Sequence, residues 1–164
     1  MVTSGTDGFL YPGGETPDME ADLVLAPVDG SDNAAEAFEY AVAVAERYDA
    51  AIHVLFVLGE EVSRRVQDGT IDRETVAETT GAAVEPLRSR LAETDLVSTH
   101  SAAYGYSTER LTRHPGSVIV EVAEQLSADF VVLPREPVTG DPQAAIEKAA
   151  QHVIAHADQP VLSV

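Results

Sequence analysis

The chain has 164 residues, enough for one domain with a real core, and 45% of them are hydrophobic, which fits a globular fold and argues against a disordered one. Its 28 acidic residues against 10 basic ones give a formal charge of −18, so the basic footprint of a nucleic-acid binder is missing, and an acidic membrane surface would repel it. There are no cysteines, hence no disulfide and no cysteine metal site. No apolar run approaches the ~20 residues of a membrane span. No basic region followed by an apolar stretch opens the chain, which reads as a cytoplasmic protein without a secretory leader. Lys148 is the lone lysine; the other basic residues are arginines. Abundant carboxylates with almost no lysine point to adaptation to molar salt, where screening acts over about 3 Å and self-repulsion costs little.

Residues 1–21 read as a flexible tail, with Gly5, Gly8, Pro12, Gly13, Gly14 and Pro17 interrupting any element. The folded domain is expected over residues 22–164. Asp22–Val28 is a short apolar run bounded by turn residues, the pattern of a buried strand. After the turn Asp29-Gly30-Ser31-Asp32-Asn33, a helix is expected to about Tyr48. Phe38, Ala41, Ala45 and Tyr48 form its apolar stripe, Asn33 its cap, and Glu36 reaches back to that cap. Ala51–Leu58 is a second apolar strand. Gly59–Thr70 reads as a polar connector. Asp72–Glu93 is expected to be the longest helix, with Val76, Ala83, Leu87 and Leu91 inward, Arg88 and Arg90 outward, and Pro86 interrupting it.

Between Asp95 and Gly116 two placements of a third strand stand open, Val97–Ala103 or Tyr106–Arg113, and the first is favoured. Ser117–Ser127 is expected to be helical with Ser117 as cap, although Val118, Ile119 and Val120 locally prefer strand. Asp129–Leu133 is a fourth buried strand. Gly140-Asp141-Pro142 opens the last helix, with Asp141 capping and Pro142 at the first helical position, and the helix runs to about Ala157. Val161–Val164 closes the chain as a strand. Apolar strands alternating with amphipathic helices imply a parallel sheet covered on both faces, with right-handed crossovers. In such a sheet ligands sit beyond the carboxyl ends of the strands, at the switch in strand order.

The stretch LVLAPVDGSDNAAEAFEYAVAVAERYDAAIHVLFVL resembles the opening of the universal stress protein family: an apolar strand ending in V-D-G-S, an alanine-rich helix, then a strand of the H-V-L-H-V type. SVIVEVAEQLSADFVVL and HVIAHADQPVLSV resemble the family's closing elements. The resemblance implies a single-domain α/β fold with a five-stranded parallel sheet in the order 3-2-1-4-5, of the adenine nucleotide alpha hydrolase-like type. It also implies a tie to stress survival and a homodimer paired through Val161–Val164, an apolar sheet edge.

Many members of that family bind ATP through a loop written G-x-x-G, nine residues, then G-[ST]. Here Pro134 and Pro137 stand at the first two glycines, and Glu147 and Lys148 at the final pair. Proline lacks an N–H and fixes its backbone angle, and a carboxylate repels triphosphate. The usual ATP site is therefore not expected, and neither is another cofactor. The resemblance makes Asp29 and Val57 nucleotide-contact positions. If a nucleotide or other anion binds, Asp29, Val57, Arg135, Gly140 and Lys148 are the residues that would surround it. Otherwise the chain works through an unidentified protein partner.

No nucleophile elbow or catalytic triad is evident, so no enzymatic role is expected. His152 and His156 share a helix face four residues apart, but no third ligand accompanies them and no metal is expected. His53 reads as a hydrogen-bonded strand histidine. Arg135-Glu136 reads as an ion pair on a solvated loop.

Overall fold

The computed structural model describes residues 20–105, 114–135, 146 and 149–164. The proposed tail, the alternative strand Tyr106–Arg113, Glu136, the Asp141 cap and the loop positions Pro137, Gly140, Glu147 and Lys148 lie outside them, apart from Glu20 and Ala21 of the tail.

Five parallel strands form one sheet in the order β3-β2-β1-β4-β5: β1 is Leu23–Val28, β2 Ala51–Leu58, β3 Ser98–Tyr104, β4 Phe130–Leu133 and β5 Val161–Ser163. The apolar character of β1, β2 and β4 follows from burial on both faces. Val24, Ala26, Val28, Ile52, Val54 and Phe56 face one layer, whereas Leu25, Leu55, Val57, Val131 and Leu133 face the other. The first layer holds α1 (Asp32–Tyr48), α2 (Glu60–Gln67) and α3 (Arg73–Ala92); the second holds α4 (Pro115–Gln125) and α5 (Ala150–His156). β3 takes the favoured register, one residue later than expected, and pairs residue for residue with β2 from Ile52↔Ser98 to Leu58↔Tyr104.

Several local expectations are corrected. Ser31, not Asn33, caps α1: its backbone is extended and its hydroxyl accepts from Ala34 N–H at 3.2 Å, leaving Asn33 inside the first turn. The supposed connector after Gly59 contains α2. Glu60 and Arg64 pair across one of its turns at 3.0 Å, and Val62 and Val66 pack on the core. α4 begins two residues before Ser117, with His114 as cap and Pro115 at the first helical position. α3 passes through Pro86 as one helix, capped by Asp72, which accepts from Thr75 N–H at 2.7 Å. Arg90, placed outward, reaches Glu39 of α1 at 3.1 Å. That exposed pair contributes little stability by itself.

A polar contact fixes the start of β1. Asp129 Oδ2 accepts from Asp22 N–H at 2.8 Å and from Leu23 N–H at 3.0 Å, joining the entry of β1 to that of β4. His53 is satisfied as expected, its two ring nitrogens bonded to the hydroxyls of Thr99 (2.7 Å) and Ser101 (2.8 Å) on β3. Burial, then the charge of His100, holds its pKa below the ordinary imidazole value. Among the described residues no helix is long and apolar enough to cross a membrane.

Candidate functional site

The chain leaves β1 through a tight turn. Gly30 has φ +85°, a conformation that glycine adopts without steric cost. Asp29 closes the turn: its Oδ1 accepts from Ser31 N–H at 2.9 Å, the local bond by which an aspartate sets up a turn. Its Oδ2 accepts from Ile146 N–H at 3.2 Å. Ile146 is fully buried in the α4/α5-side core. Both carboxylate oxygens of Asp29 thus serve the protein's own backbone, and one ties the first βα turn to the segment preceding α5.

Beside this turn lies a cavity of about 810 Å³, over the carboxyl ends of β1 and β2. Its floor is Asp29, Gly30, Phe56, Val57 and Leu58; its walls are α2 and the first turns of α3. Val62, Ile71 and Val76 make one wall apolar, while Thr75, Thr79 and Thr80 supply hydroxyls. Glu60, Glu61, Arg64 and Arg65 also border it. Its size falls in the ordinary range of small-molecule pockets, about 300–1,000 Å³. Glu60 and Glu61 occupy the first turn of α2, so a negative charge already sits at that helix N-terminus.

The structure brings Asp29 and Val57 together at this cavity, although Val57 is buried and gives its side chain to the α4/α5-side core. Arg135 is elsewhere: it follows β4, is exposed, and its N–H donates to Val164 O at 2.7 Å, extending the β4–β5 ladder. Gly140 and Lys148 lie outside the described residues. The α2 residues and the α3 threonines were not singled out by sequence. The helical spacing of Glu60 with Arg64 and of Val62 with Val66 was the available signal.

Among the described residues no group of three His, Asp or Glu side chains is arranged to hold a metal. His152 and His156 stack face to face, with ring centroids 4.2 Å apart.

Five parallel strands in the order 3-2-1-4-5, with helices on both faces and a turn and cavity at the strands' carboxyl ends, define a doubly wound α/β domain. The chain belongs to the universal stress protein family, whose model matches residues 21–164. A universal stress protein of Methanocaldococcus jannaschii is 31% identical over 146 residues, covering 86% of this chain and 80% of that protein. The solved UspA of Lactobacillus plantarum shares the fold with a TM-score of 0.68 at 23% identity, covering 90% of this chain and 99% of its own. A universal stress protein solved in complex with cAMP aligns with a TM-score of 0.64 at 16% identity, covering 89% and 98%.

Proposed function

We propose that this universal stress protein is a homodimeric, non-enzymatic member that does not hold ATP in the family's usual way and acts through protein contacts. The observation that carries the reading is the occupancy of Asp29, whose two oxygens accept from Ser31 and Ile146 N–H groups. Ile146 immediately precedes Glu147, where the family's loop has a glycine. Ile146, one residue before that position, is therefore tied to the carboxylate that would meet the nucleotide. Pro134, directly after β4, has no N–H to offer a phosphate. A net charge of −18 opposes a triphosphate further. A stoichiometric nucleotide released on denaturing the purified protein would contradict the reading.

The homodimer is proposed through the outer edge of β5. Val164 N–H donates to Leu133 O at 3.1 Å, so by strand alternation the N–H of Ser163 points away from β4, toward a partner strand. Ser163→Pro removes that donor without touching the β4 ladder, and edge strands tolerate proline. The expected result is a monomer of unchanged circular dichroism in light scattering after gel filtration. A dimer that persists places the interface elsewhere.

The cavity over β1 and β2 favours a second reading, a small-molecule or nucleotide binder with a reshaped pocket, possessing at most weak hydrolase activity. Asp29 and Val57 border it and Arg64 and Arg65 supply its cationic groups, whereas Arg135 stands apart from it on the β4–β5 ladder. The relative solved with cAMP supports an adenine nucleotide as the first ligand to test.

A further inference from the structure

Away from the cavity, three imidazoles meet where α4 starts against α5. The His114 and His152 rings stack with centroids 5.2 Å apart and planes 28° from parallel, and those of His152 and His156 at 4.2 Å and 19°. Gly116 makes room: a Cβ there would lie 2.6 Å from His152 Cβ. Each ring has a hydrogen-bonding role. His114 Nδ1 accepts from Gly116 N–H at 3.0 Å, which caps α4. His152 Nε2 is 3.2 Å from Ser117 Oγ. His156 Nδ1 donates to His152 O at 2.8 Å.

These roles respond differently to a proton. His156 already carries hydrogen on Nδ1, so a charge there keeps its bond. His114 does not: a proton on Nδ1 replaces the acceptor lone pair with a donor, and the cap on Gly116 N–H is lost. His152 faces the N-terminal end of α4, whose partial positive charge opposes a cation, and it lies between two rings that would themselves be charged. Carboxylates on the same elements act the other way. Glu121 and Glu124 lie one and two turns beyond Ser117 on α4, and Asp158 follows α5. At His152 the balance falls on the neutral side: burial first, then His156 and His114, hold it below the ordinary value of 6.5.

We propose that the His114–His152–His156 stack is an acid-sensitive latch, closing α5 onto α4 while its rings are neutral and releasing α5 when they take up protons. α5 connects the segment around Ile146 to β5, so release would loosen both the turn at Asp29 and the sheet edge. A histidine held low binds fewer protons folded than unfolded. Its contribution is therefore complete above pH 6.5 and is lost as pH falls below that value. His53 has the same sign. Global melting therefore mixes the two sites, and a local readout is needed.

The test is amide hydrogen exchange of the full chain at pH 7.5 and 5.5, corrected for intrinsic chemistry and taken as the ratio of α5 to α3. A rise of up to about tenfold is expected at pH 5.5, the ceiling for one imidazole whose free value is 6.5 and that stays neutral while α5 is closed. The double variant His114→Asn, His152→Gln keeps a capping oxygen and removes two titrating rings, and its ratio is expected to stay flat. A ratio independent of pH in the parent, or the same rise in the variant, overturns the latch. Proton NMR of the parent gives an independent check, because a His152 that titrates at or above 6.5 would also overturn it.

Discussion

Phe38→Ala is expected to cost about 3–5 kcal/mol, the range for deleting a buried aromatic ring from a packed core. Phe38 is 1% exposed and lies in the layer between α1 and the sheet, with Val24, Val54 and Phe56 in the same cluster. Domains of this kind have about 5–15 kcal/mol in total, so one substitution would remove a large share. The consequence reaches the site, because α1 starts at Ser31, inside the turn that Asp29 closes. Urea unfolding followed by circular dichroism measures it. The midpoint should fall with the slope unchanged, and a loss under about 1 kcal/mol would mean the α1 face repacks freely.

Gly116→Ala and Gly81→Ala make a matched pair with opposite expected signs. At Gly116 the added carbon would sit 2.6 Å from His152 Cβ and 2.9 Å from its Cγ and Cδ2. His152 Cβ is fixed to the α5 backbone, so no rotamer change relieves the contact and the helix itself must move. Overpacking of this kind costs about 1–3 kcal/mol, more than the ~1 kcal/mol that alanine gains over glycine in a helix. At Gly81, in the middle of α3, nothing lies within 4 Å of the added carbon. There the propensity gain stands alone, and a stabilisation of about 0.5–1 kcal/mol is expected. Thermal melting of the two variants side by side decides it. Equal effects would contradict the close approach of α5 to α4.

Strands β1, β2 and β4 were legible in the sequence because burial on both faces leaves uninterrupted apolar runs, as in Ala51–Leu58, whereas the sheet order came from the family resemblance. β3 was harder. It is an edge strand of mostly small and polar residues, exposed over Ser98–Ala102, so it carries no apolar signature. α2 was missed because eight residues crowded with charge look like a loop until the Glu60–Arg64 and Val62–Val66 spacings are paired. The cap of α4 was misplaced because a serine at 117 is the usual capping residue, whereas a histidine accepting through Nδ1 is not. Of the site, Asp29 and Val57 were found by resemblance. The cavity was not legible, because one of its two wall helices, α2, had been read as a connector. The stacking of His114 on the His152–His156 pair depends on how α4 and α5 cross, which no local pattern encodes.

The most direct test of the functional account is calorimetric titration of ATP with magnesium into the purified protein in molar KCl, after confirming that no nucleotide co-purifies. The account predicts no heat of binding, because Asp29 is committed to Ser31 and Ile146 and the phosphate loop lacks its glycines. Clear micromolar binding would contradict it, showing that Ile146 N–H releases Asp29 to the ligand and that the cavity beside it is the nucleotide site.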